Sequence, residues 1–198
     1  LNLLRSRVES GQAVNDLNWL RLRSWRETLA MVFDPPNRRD ALCHITQLDI
    51  DVEGHHPAQG LLMAAWIADR LGWQLQTSDV TEEGVTARFS RHDGADIRFQ
   101  LMTVPTGQPS VHAGQMVGLR LICQPEQGQG VCVILCGESG GCMRLEGGGM
   151  ASLELHEEIV SVQHASPEMD VARLLSGGHD STNPLLAAAA PLAARLLN

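Results

Sequence analysis

Between Asp16 and Phe33 the apolar residues Trp19, Leu22, Trp25, Leu29, Val32 and Phe33 recur so that, at about 100° per residue, they fall on one broad arc. The spacing predicts a helix over 16–33, with Asn15 or Asp16 as its cap and Asp34-Pro35-Pro36 as its stop. Arg26 lies inside the apolar arc, where a guanidinium must find a carboxylate or carbonyl oxygens, in this chain or in a partner. A short helical piece is expected over 39–44. Residues 46–53 then alternate with period two, which predicts a strand with Leu48, Ile50 and Val52 turned inward. His56-Pro57 opens a helix over 58–71 with Gly72 as its C-terminal cap. Leu61, Leu62, Trp66, Ile67 and Leu71 surround most of its circumference, so this helix is expected to lie flat on a sheet.

From Trp73 onward strands are predicted at 74–78, 85–91, 96–102, 117–124, 131–136, 142–146 and 152–158, separated by turn signals such as His92-Asp93-Gly94 and the glycine-rich 137–141. An antiparallel meander is the simplest arrangement. The unit 46–78 has an alternative reading as strand, helix and parallel strand. A short helix is expected over 167–175, a loop over 176–183, and an alanine-leucine helix over 184–197 that needs a surface to dock on. The fold class is α+β: a mixed, mostly antiparallel sheet with helices packed on it, plus an N-terminal helical segment. The expected organisation is a helical segment over 1–45, a sheet domain over 46–165 and C-terminal helices over 166–198, in one folded unit.

Composition narrows the functional classes. Of 198 residues, 43% are hydrophobic and 19% charged, the balance of a globular protein. Fifteen basic against 23 acidic residues give a net charge of −8, which argues against nucleic acid as a partner. No apolar run is long enough to span a bilayer and the start lacks the layout of a signal peptide, so a cytoplasmic protein without a membrane partner is expected. The chain begins at Leu1 and not at Met, which suggests a fragment or a sequence lacking its true start. Five cysteines, an odd number without a secretory signal, argue against a structural disulfide framework.

Candidate chemistry is sparse. Gly137-Glu138-Ser139-Gly140-Gly141 resembles a serine-protease nucleophile segment, but no base and orienting acid accompany it, and a glycine-rich hairpin loop is the plainer reading. Cys132, Cys136 and Cys142 lack the paired spacing of a zinc site, and His55-His56 precedes a helix. Asp49, Asp51 and Glu53 share one strand face, which reads as a solvated acidic face or, less simply, as a cation site. No phosphate loop is present, and no cofactor is expected. Trp19, Arg21, Arg23 and Arg26 cluster residue types that dominate protein interfaces, although tryptophans at this spacing also suit a core. If 137–141 is a hairpin loop, Cys136 and Cys142 stand opposite each other at a Cα separation of about 4.5 to 5.5 Å, within disulfide range. Two inert reduced thiols are the alternative.

The segment Asp16-Leu-Asn-Trp-Leu-Arg-Leu-Arg-Ser-Trp-Arg-Glu27, then Phe33-Asp-Pro-Pro36, then Ala58-Gln-Gly-Leu-Leu-Met-Ala-Ala-Trp-Ile-Ala-Asp-Arg-Leu-Gly-Trp73, resembles the C-terminal half of the OpcA family. The likeness extends over most of residues 10–160. It implies a non-catalytic bacterial protein that binds glucose-6-phosphate dehydrogenase and favours its active oligomer, with thioredoxin as a further partner in cyanobacterial members. It also implies a redox role for cysteines in the region of Cys136 and Cys142, and raises that pair above Cys43, Cys123 and Cys132. Two readings from other classes stand beside it: an enzyme with Ser139 or a cysteine as nucleophile, and a self-associating structural domain.

Overall fold

Asp16 accepts a hydrogen bond from the Trp19 amide at 2.9 Å and so caps the first amphipathic stretch. In the computed structural model, which describes residues 1–105, 113–125, 129–137, 156–162, 167–176 and 182–198, the single helix expected over 16–33 is two. After α1 (Asn2–Glu9), α2 (Leu17–Arg21) and α3 (Arg23–Phe33) meet at Leu22, whose ψ of −2° opens the helix for one residue. Pro36 starts α4 (Pro36–Arg39), which runs into a tight turn over Asp40–His44 and delivers the chain to β1 (Ile45–Glu53). α5 (Ala58–Arg70) follows and ends at Gly72, whose φ of 67° suits a residue without a Cβ.

The remaining strands are β2 (Gln74–Val80), β3 (Gly84–Ser90), β4 (Asp96–Val104), β5 (Met116–Cys123), β6 (Val131–Gly137) and β7 (His156–Val162). Among the described residues they form a seven-stranded sheet in the order β2-β3-β4-β1-β5-β6-β7. β1 is parallel to β4 and β6 to β7, while the other neighbours are antiparallel. The mixed, mostly antiparallel α+β class is therefore the observed one. Two antiparallel steps separate β4 from β2, so β2 runs parallel to β1 as the strand-helix-strand alternative has it. β3 and β4 stand between them, which that reading did not anticipate.

A correction concerns β6. The meander reading places Cys136 opposite Cys142 across a hairpin ladder, but Cys136 is flanked by Gly118 on β5 and Ser161 on β7. The backbone ladder is taken on both sides of that position, and Cys142 itself lies outside the described residues. The expected strand 142–146 lies outside the described residues, and the last strand lies later than predicted, at His156–Val162.

One face of the sheet carries Leu48, Ile50, Val52, Phe89, Phe99, Leu101, Leu119 and Leu121, all buried. α5 lies on it, and Gly60 marks the closest approach: a Cβ there would stand 2.6 Å from Leu101 Cδ1 and 3.0 Å from Val52 Cγ1. Each large side chain that α5 buries, among them Leu61, Leu62 and Ile67, contributes on the order of 1.5–3 kcal/mol. Beyond α6 (Pro167–Ser176), the C-terminal helix α7 (Pro184–Arg195) docks on α5 and buries Ala189, Ala190, Ala193 and Ala194. Asn183 caps α7 by accepting from the Leu185 and Leu186 amides, and Ser78 Oγ donates to the Leu196 carbonyl at 2.7 Å. Thr182 accepts from the Val14 amide and donates to the Gln12 carbonyl, tying the two ends of the chain together. One apolar cluster consequently runs from Leu4 to Leu196.

Candidate functional site

The arginine-tryptophan cluster resolves into separate roles. Trp19 is only 5% exposed, and the Arg26 guanidinium lies 3.6 Å above its ring centroid. Arg26 also donates from Nη2 to the Trp19 carbonyl at 3.2 Å and from Nε to the Leu22 carbonyl at 3.3 Å. The carbonyls it needs are thus on the preceding turns of its own helical segment, at the break that Leu22 makes. Burial lowers the Arg26 pKa to about 10, an effect that Glu27 offsets in part and Arg23 reinforces, so it stays cationic at neutral pH. Arg21 points the other way, with Nε 3.7 Å from Oδ2 of the buried Asp170 on α6. Arg23 is exposed and pairs with Glu27 one turn on, at 2.7 Å. Trp19, Arg23 and Arg26 line a groove of about 560 Å³, closed on its other side by Trp66, Leu174, Leu185 and Leu186. The helical face therefore presents an amphipathic concavity whose charged rim is Arg23, Arg26, Glu27 and Asp16.

The acidic strand face is a second correction. Asp49, Asp51 and Glu53 do share one face of β1, but Asp49 is 1% exposed, Asp51 is fully buried and Glu53 is half-buried. This is not a solvated face. Arg120, opposite Asp49 on β5, donates to Asp49 Oδ2 from Nε at 2.8 Å and again from Nη2. Gln47 donates to both carboxylate oxygens of Asp49, at 3.1 and 2.9 Å, and accepts from Arg98 Nη2 at 3.0 Å. The result is a polar chain across three strands, Arg98–Gln47–Asp49–Arg120, with an apolar patch of Ile122, Cys132, Ile134 and Cys136 beyond it. Reasoning from sequence missed Arg120 and Arg98, although each stands between two buried apolar residues of its strand. Among the described residues no three His, Cys, Asp or Glu side chains come together as a metal site.

The cysteines also separate. Cys43 is an exposed free thiol, and Cys123 and Cys132 are buried free thiols. Burial pushes the Cys123 thiol up to about 12 and Cys132 up to about 11, where they are protonated and poor nucleophiles. Cys136 is disulfide-bonded. Cys142 and Ser139 lie outside the described residues. No helix among the described residues is long and apolar enough to cross a membrane.

Residues 12–190 match the family described as the C-terminal domain of a glucose-6-phosphate dehydrogenase subunit. The chain is 39% identical over 165 residues, 81% of its length, to a protein of Synechococcus elongatus provisionally named OxPP cycle protein OpcA. It is 38% identical over 171 residues to the protein of that name in Nostoc punctiforme, and 33% identical over 173 residues to that of Synechocystis sp.. These alignments take in 83% and 85% of this chain. They span only 36–37% of each of these curated relatives. On the family match across most of its length and on these identities, the chain belongs to the OpcA family, within the C-terminal domain of this glucose-6-phosphate dehydrogenase subunit.

Proposed function

We propose that this domain is a non-catalytic, cytoplasmic partner of glucose-6-phosphate dehydrogenase that binds the enzyme and favours its active oligomer. The observation that carries the reading is the family match over residues 12–190, whose description is that of a domain of a dehydrogenase subunit. The amphipathic groove bordered by Trp19, Arg23 and Arg26 supports it. This groove joins apolar area to charged groups that can make directional bonds, the combination on which interfaces depend. The mechanism is a population shift: a domain that binds one assembly state of the enzyme more tightly stabilises that state by the difference in affinity.

Thiol control is the second part of the reading. Cys136 pairs with Cys142, and thioredoxin opens the bond. The disulfide at Cys136 supports this, since Cys123 and Cys132 are free thiols that burial holds protonated. Size-exclusion chromatography of the chain with the dehydrogenase tests the partnership: a common peak is expected, and separate peaks at micromolar concentrations contradict it. The Cys136→Ser, Cys142→Ser double variant tests the redox part. Its effect on the dehydrogenase should not change with dithiothreitol, whereas the unmodified chain's effect should.

A further inference from the structure

On the sheet face away from α5, Arg88 of β3 and Arg98 of β4 are direct cross-strand partners. Side chains so placed have Cβ atoms about 4.5–5.5 Å apart, and like charges there repel each other. Both residues are exposed, and among the described residues neither forms an ion pair. They line a trough of about 400 Å³ together with Thr77, Thr86, Gln47 and Gln100. We propose that this trough binds the phosphate group of a small phosphorylated ligand, held between Arg88 and Arg98. The inference is independent of the dehydrogenase reading.

Three features converge on that ligand class. First, Arg98 is held in place before any ligand arrives: its Nη2 donates to Gln47, Gln47 donates to Asp49, and Asp49 is fixed by Arg120. This commits one of the five guanidinium N–H groups of Arg98 and leaves the others available to a ligand. Second, the charge in the trough is net positive in a chain of net charge −8. Arg120 neutralises Asp49, and Asp79 stands opposite Thr86 on the neighbouring row. Third, the paired arginines suit a phosphate monoester better than an acidic side chain of a protein. A single carboxylate is satisfied by one arginine fork, whereas a tetrahedral dianion accepts from two at once. The volume falls within the range of about 300–1,000 Å³ common for small-molecule sites. The hydroxyls of Thr77 and Thr86 and the amide of Gln100 supply neutral donors around the two cations.

The test follows the arginine side-chain Nε–Hε resonances of the whole chain during titration with inorganic phosphate at constant ionic strength. Saturable shifts at Arg88 and Arg98 are expected, with Arg88→Ala and Arg98→Ala each weakening binding about tenfold or more. Arg88→Lys should retain part of the affinity, because it keeps the charge and loses the fork. Both alanine variants alter exposed side chains, and an unchanged circular dichroism spectrum confirms that they fold. Absence of a saturable shift overturns the proposal, as does undiminished affinity in Arg88→Ala. A response to hexaglutamate without one to phosphate also overturns it, in favour of an acidic protein partner.

Discussion

Arg120 Nε lies 2.8 Å from Asp49 Oδ2 across the β1–β5 ladder, with the two side chains 10% and 1% exposed. Such a pair contributes little net stability, because desolvation offsets the attraction, but removing one partner strands a charge. Arg120→Met should therefore lower stability by about 3–5 kcal/mol. The Asp49→Leu, Arg120→Met double variant should recover most of that loss. Urea unfolding of the two variants beside the unmodified chain measures both effects, and equal losses in the single and double variants would contradict the argument.

Gly60→Ala sets two effects against each other. Alanine favours the helix by about 1 kcal/mol over glycine. The new methyl, however, meets Leu101 Cδ1 at 2.6 Å, Val52 Cγ1 at 3.0 Å and Ile50 Cγ2 at 3.1 Å, and all three residues are fully buried. Overpacking of this kind costs about 1–3 kcal/mol, so the net result should be a loss of roughly 1 kcal/mol, seen as a lower thermal midpoint.

The buried thiols give a pH dependence. Folded Cys123 and Cys132 ionise near 12 and 11, above the ordinary value of 9.0, so the native state holds protons that the unfolded state gives up. Their stabilising effect is complete below pH 9 and declines as pH rises toward 11 and 12. Cys132→Ala should flatten that decline. At pH 8 a thiol reagent should label exposed Cys43 quickly, and Cys123 and Cys132 only on unfolding.

Arg23 and Arg26 should separate binding from packing. Arg26→Met forfeits the stacking on Trp19, worth about 1 kcal/mol, and removes the guanidinium bonds to the Trp19 and Leu22 carbonyls. It should lower the thermal midpoint. Arg23→Ala removes an exposed side chain and should leave the midpoint unchanged while weakening association with the dehydrogenase.

Much of this architecture was legible because its causes are local. The Asp16 cap, the inward set Leu48, Ile50 and Val52, and the all-round apolar helix ending at Gly72 each follow from residues within a few positions of one another. What was illegible depends on distant partners. Asp49 reads as solvated because Arg120, 71 residues away, supplies the countercharge. The parallel pairing of β7 on β6, which occupies the flank of Cys136, leaves no periodicity signal in either strand. The break at Leu22 is likewise hidden, since an uninterrupted apolar arc continues through it. Of the candidate site, residue identity was readable but division of labour was not: Trp19 and Arg26 satisfy each other, Arg21 turns to Asp170, and Arg23 is left at the rim.

The most direct measurement is the mass distribution of purified glucose-6-phosphate dehydrogenase, by sedimentation velocity, with increasing amounts of this chain, alongside the reaction rate at subsaturating substrate. The account predicts a shift to the larger assembly and a rise in rate that saturate together. A dehydrogenase unchanged in both mass and rate at excess chain would contradict it.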